Sequence, residues 1–206
     1  METNNPRKAG AIILNNLAMF NEAAILMEQQ IEAQIFGEID NIIQQWITKN
    51  EWNGEAEWFE VENTWMSPKE WCKQSEQQDT TFAVTWLARE DEEESSYDVA
   101  NLCDCGQTRL GFFFGRHDDI KKSAWKLKPA SQEKYSLELE PLGFIETDDK
   151  YAPWFLPVVL DNLTLAKAYE NDDYDEAMKP LRRALESIVN AQRVFDEVVK
   201  EIMSEI

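Results

Sequence analysis

The chain is poor in the residues that most often carry catalysis. It has one histidine, His117, and three cysteines in 206 residues, and seven glycines that never gather into a phosphate-binding loop. Neither a Gly-x-Ser-x-Gly elbow nor a His-Glu-x-x-His pair occurs. Acid–base chemistry would have to rest on carboxylates alone, and the expectation is a protein that is not an enzyme and uses no cofactor. Positive charge is also scarce: 20 Lys and Arg stand against 40 Asp and Glu, a formal charge of -20. A broad nucleic-acid surface needs Lys and Arg to displace counterions, so direct binding of DNA or RNA is excluded as a reading. The same charge opposes an anionic membrane, and no apolar run approaches the roughly 18 residues of a spanning helix. Cys72, Cys103 and Cys105 form an odd set in which the nearest pair is separated by one residue, a spacing that rarely allows a relaxed disulfide. A cytoplasmic location is the expectation.

What the chain does have is enough apolar surface to fold: 43% hydrophobic residues and eight tryptophans. Its length suits one domain, 1–206, with a helical part over 1–50, an antiparallel sheet over 51–157 and a helical hairpin over 158–206. Arg7 and Lys8 precede an apolar stretch as in a targeting peptide, but Asn15, Asn16, Asn21 and Glu22 interrupt it and a helical period runs on past position 30, so a folded helix is expected. Ile13, Leu17, Phe20, Ala24, Met27, Ile31, Ile35, Ile39, Ile42 and Trp46 follow at steps of three or four, one amphipathic face. No proline falls between Pro6 and Pro68. The pattern predicts either one helix of about 35 residues, roughly 50 Å long, or two joined near Gly37. So long a helix is expected to pair in part with another helix or another chain, as in a homodimer.

Short alternating runs predict strands over 57–62, 81–88, 97–102, 109–116, 124–128 and 134–140, with Phe82, Val84 and Trp86 on one face of the second. Their connections are too short for helical crossovers, which makes the sheet mostly antiparallel. The fold class expected is therefore α+β. Helical period returns through Leu160, Leu163 and Ala166, then Met178, Leu181, Leu185, Ile188, Phe195, Val199 and Ile202, with a break near 171–173. Leu165, Ala166, Tyr169, Ala177, Leu181 and Ala184 resemble one hairpin of the tetratricopeptide type with a turn one residue short. A single copy has no neighbour to bury its face, and Pro180 falls inside its second helix, so the spacing is read as a coincidental hairpin that transfers no function.

Acidity concentrates in 51–100, which holds 14 acids and 3 bases. Glu51, Glu55, Glu57, Glu60 and Glu62 form one series, and Glu90, Asp91, Glu92, Glu93 and Glu94 an uninterrupted run expected to be a loop between strands. Such a field speeds encounter with a basic partner at a cost in stability. Duplex DNA carries one charge per roughly 1.7 Å of axis, and dense carboxylates can occupy a site built for it. The expected function is inhibition of a basic nucleic-acid-binding protein by nucleic-acid mimicry, as in anti-restriction or anti-CRISPR counter-defence, with those ten acids as the partner-binding residues. Acidic anti-defence proteins share this composition by analogy. Neutralisation of a basic toxin, as by an immunity protein or antitoxin, rests on the same electrostatics.

Other candidates are weaker. Trp46, Trp52, Trp58, Trp65 and Trp71 recur at steps of six or seven and are expected to close the core; exposed members among Glu51, Glu55, Glu57 and Glu60 would seat an arginine. Cys103 and Cys105, with His117 and one of Cys72, Asp118 or Asp119, offer soft ligands at a spacing unlike structural zinc sites. Asp148, Asp149 and Lys150 with Glu140 and Glu146 make a poor match to a magnesium-dependent nuclease site and read as a solvated turn. Lys121, Lys122, Lys126, Lys128 and Lys134 carry the sustained positive charge and are expected to guard a strand edge.

Overall fold

A computed structural model describes residues 6–73, 80–88, 97–116, 127–149 and 152–204. The run 90–94, the lysines at 121, 122, 126 and 150, the acids at 118 and 119, and His117 lie outside the described residues. The architecture is α+β, as expected. Two short helices, α1 (Pro6–Asn15) and α2 (Leu17–Leu26), meet at Asn16 with a bend of 85°. The Asn16 side chain donates to the Ile12 carbonyl at 2.9 Å and its own carbonyl accepts from Phe20, so the corner is held by local bonds. From α2 the helix runs through a π-helical turn at Met27–Ile31 into α3 (Glu32–Asn50). Leu17–Asn50 is thus the long helix that the apolar period predicts. Gly37 does not break it, because the glycine lies inside regular helix with open space where a side chain would stand.

After α3, β1 (Asn53–Glu57), the one-turn helix α4 (Trp58–Val61) and β2 (Asn63–Ser67) form a hairpin. Then come β3 (Cys72–Lys73), β4 (Thr80–Ala88), α5 (Asp98–Leu102), β5 (Leu110–Arg116), α6 (Pro129–Leu139), β6 (Ile145–Glu146) and β7 (Trp154–Pro157). The strands pair antiparallel in the order β1-β2-β4-β5-β7-β6, with β3 paired to β4 beside them. The chain closes with α7 (Asn162–Asn171) and α8 (Lys179–Ser204), so the predicted hairpin is present and Pro180 sits in the first turn of α8, where its missing N–H costs nothing.

Three expected strands are helices instead. Residues 57–62 leave β1 for α4 because the carboxylate of Asp40 caps that turn, and 97–102 become α5 because Glu32 accepts the N–H of Val99. Of the run 134–140, residues 134–139 belong to α6 and Glu140 starts the 3-10 turn that follows it. The alternation of Tyr135, Leu137 and Leu139 imitates a strand, yet Pro129 starts a helix that buries Tyr135 and Leu139, four apart, and leaves Leu137 in solvent. Of 124–128, the described residues Leu127 and Lys128 are irregular chain leading into α6.

The core lies between the sheet and α3, α6 and α8. Ile35, Ile39 and Ile42 of α3 are buried, as are Leu181, Leu185, Ile188, Phe195, Val199 and Ile202 of α8. Phe195 stacks on Phe114 of β5 at 4.1 Å, and Trp71, Phe144 and Trp154 surround the pair. Phe195→Ala should therefore lower stability by about 3–5 kcal/mol in urea denaturation, against less than about 0.5 kcal/mol for Leu163→Ala on the exposed side of α7.

Candidate functional site

One end of the sheet is a concentration of carboxylates, and α3 builds it. Asp40 accepts the backbone N–H of Trp58 at 3.1 Å and of Phe59 at 3.2 Å, which places an anion on the free amides at the start of α4. Eight residues earlier on α3, Glu32 accepts from Val99 at 3.3 Å and holds α5; Tyr97 donates to Glu28 at 3.3 Å. Trp58 ties the two short helices together, since its ring is buried and its indole N–H donates to Asp98 at 3.2 Å. Burial is the main cause that pushes the carboxyls of Asp40 and Glu32 above the usual carboxylate range, with the backbone amides pulling the other way.

On this support stand the exposed acids. Glu57 ends β1, Glu60 lies on α4, and Glu62 stops α4 in a left-handed conformation at φ 52°. Glu55, two residues before Glu57 on β1, accepts from Asn63 at 3.3 Å. Among the described residues none of Glu51, Glu55, Glu57, Glu60 and Glu62 forms an ion pair with a cation. Between these acids, two apolar side chains project into solvent: Phe59 is 46% exposed and Val61 58%. Sequence reasoning looked for an exposed ring among the tryptophans and missed this pair; the signal was their place inside the acidic series, with Glu60 between them and Glu62 after Val61.

The second acidic run is attached here as well. Trp65 pairs with Thr85 and Met66 with Val84, and β4 runs on to Ala88 beyond that pairing. The chain leaves β4 at that point and re-enters described structure at Tyr97 and Asp98, which contact Glu28 and Trp58. The end of 89–96 that joins Tyr97 and Asp98 therefore lies beside α4, through Trp58. Glu51 is not part of this group. It caps the far end of α3, before β1 begins, about 20 Å from Glu57 along extended chain.

The other candidates do not assemble in this way. Trp46 meets Trp52 at 4.9 Å, Trp52 meets Trp71 at 5.7 Å and Trp71 meets Phe114 at 5.3 Å, so this part of the series runs into the core. Trp65 is half-buried on β2. Cys103 is half-buried, with burial raising its thiol, and Cys105 is exposed. Among the described residues no three His, Cys, Asp or Glu are placed to hold a metal ion. Asp148 and Asp149 lie exposed after β6, whereas Glu140 and Glu146 line a cleft of about 370 Å³ beside Trp154 to which neither aspartate contributes. A cleft of about 650 Å³ between α3 and α8 mixes Lys49 and Arg182 with Glu186 over Trp46 and Val189. Among the described residues no helix is by itself long and apolar enough to cross a membrane.

Because Asp40 and Glu32 titrate higher folded than unfolded, the folded chain binds more protons just above the ordinary carboxylate range, and these groups add stability as the pH falls toward it. Glu197 and Asp161 shift the opposite way, so their contribution is lost only at still lower pH. The urea midpoint should rise from about pH 7 to about pH 5, and Asp40→Asn should make that rise smaller. Comparison with protein-family models, with curated proteins and with solved structures finds no match, so the acidic end itself is the ground for a function.

Proposed function

We propose that the protein is a non-enzymatic acidic binder that inhibits a basic nucleic-acid-binding protein by occupying its nucleic-acid site, a role of the anti-restriction or anti-CRISPR kind. The observation that carries this is the grouping of Glu55, Glu57, Glu60 and Glu62, which among the described residues make no ion pair, on a hairpin tied through Trp58 to Asp98, where the chain resumes after the run 90–94. Unpaired carboxylates fixed on a hairpin offer Lys and Arg what a phosphate backbone offers them, and the partner's counterions are released on binding. Rigid support matters here, because an anion already held in place loses little freedom when the partner docks. The half-buried carboxylates of Asp40 and Asp98 and the buried ring of Trp58 supply that support.

Neutralisation of a basic toxin is a second reading, and Phe59 and Val61 favour it. A channel that reads a phosphate backbone has little use for two apolar side chains, whereas a protein interface commonly centres on such anchors inside a polar rim. In either case the stems of arginine can lie on Phe59 while their guanidinium groups reach the flanking glutamates.

The test is capture from nuclease-treated host lysate on the purified protein, elution in a salt series, and challenge with duplex DNA. A basic nucleic-acid-binding protein should be captured, be displaced by DNA, and bind at least about tenfold more weakly at 300 mM than at 50 mM salt. Glu57→Lys, Glu60→Lys and Glu62→Lys together should weaken binding by about a hundredfold with the fold intact, and so should reversal of Glu90, Asp91, Glu92, Glu93 and Glu94. A captured toxin that DNA does not displace selects the second reading, and binding indifferent to salt and to both sets of reversals overturns both.

A further inference from the structure

The apolar stripe that enters the core at Ile35 begins far earlier in the chain, and its first turns are bare. Ile35, Ile39 and Ile42 are buried, but no residue of α2 is. Leu14 is 72% exposed and Leu17 59%. Apart from Asn21 and Glu22, every residue of α2 is apolar, and a helix apolar on all sides is ordinarily covered on all sides. Independently of what the acidic end binds, we propose that α1 and α2 form a self-association hook that docks on the same hook of a second copy across a two-fold axis.

Area, charge and shape each support a second copy as the occupant. Ile12, Leu14, Leu17, Met19, Phe20 and Ile25 alone expose on the order of 600 Å², close to the roughly 800 Å² that each partner commits to a stable dimer and at the top of what a monomer usually leaves uncovered. In a chain of charge -20, residues 7–26 hold two bases, Arg7 and Lys8, and one acid, Glu22. Two copies that repel over most of their surfaces can meet here without opposing rows of carboxylates. The 85° corner at Asn16 gives the hook two arms, and an arm of a second hook entering that corner covers apolar surface on both. The pairing is isologous, so one patch serves both copies and the assembly closes at two. By length and composition the bent pair could also enter a bilayer, but Asn15, Asn16, Asn21 and Glu22 sit in its middle and the acidic body is repelled by anionic lipid.

Sedimentation equilibrium over a concentration series tests this. The mass should rise from 24.0 kDa for one chain toward twice that value, and the association should strengthen as salt is raised from about 50 to about 500 mM, because screening relieves repulsion between the acidic bodies. That direction is opposite to the salt response of basic-partner binding, so either proposal can fail without the other. Leu17→Glu with Phe20→Glu, both at exposed positions, should weaken association at least about tenfold while circular dichroism and the urea midpoint stay unchanged. A single-chain mass at every attainable concentration overturns the proposal, as does a double variant that associates like the parent chain. A single-chain mass in solution together with flotation on phosphatidylcholine vesicles overturns it in favour of lipid.

Discussion

The stack of Phe195 on Phe114 is the contact on which the other packing depends. It joins the last helix to the central strand of the sheet at 4.1 Å, and Trp71, Phe144 and Trp154 close around it. From Trp71 the ring contacts continue through Trp52 to Trp46 on α3. Helix α3 thus reaches the sheet partly through aromatic rings, and α3 in turn holds α4 and α5 in place with its carboxylates. Even the polar ends of the rings are used: the Trp71 indole donates to Asp196 at 2.6 Å and that of Trp154 to Ser136 at 2.9 Å. A buried indole without such a partner would cost more than its ring gains from extra contact.

Charge is arranged in a way that the bare excess of acids does not require. On the face formed by α6 and α8, Lys134 and Arg193 are shared between Glu138 and Glu197, and at the start of α8 Lys179 and Arg182 pair with Glu176 and Asp175. Those cations are matched by local carboxylates, whereas among the described residues Glu57, Glu60 and Glu62 have no such partner. Exposed pairs of this kind add little stability, so their main effect on the molecule is where they leave the field uncancelled.

Periodicity was legible wherever the partner of an element was the core itself. The steps through Ile35, Ile39 and Ile42, and those through Leu181, Leu185, Ile188, Phe195, Val199 and Ile202, name residues that are buried. It misled where a tertiary hydrogen bond chose the local structure. Nothing in residues 57–62 announces a helical turn, since the deciding group, Asp40, lies on another element. Tyr135, Leu137 and Leu139 obey a strand period that Pro129 overrides. Strand β7 was missed because Trp154, Phe155 and Leu156 are all buried, and a strand covered on both faces does not alternate. The acids of the candidate site were legible as composition, but their division was not. Only the structure separates Glu51, at the end of α3, from the acids of β1 and α4.

The acidic end is also where the fold works against itself. Burial holds the carboxyls of Asp40 and Glu32 above their ordinary range while Glu60, Glu28 and Asp98 add negative charge nearby, so ionisation of Asp40 and Glu32 works against folding at neutral pH. Solubility alone would be served as well by acids scattered over free surfaces, where mutual repulsion is screened. Here the acids are instead clamped, by backbone amides and the Trp58 indole, into positions they would not hold unaided. Strain of this kind persists when the surrounding structure over-determines it, and the aromatic core provides that surplus. Cations brought beside Glu57, Glu60 and Glu62 by the proposed partner would lower the local potential and remove that cost, which would couple its binding to the stability of the hairpin.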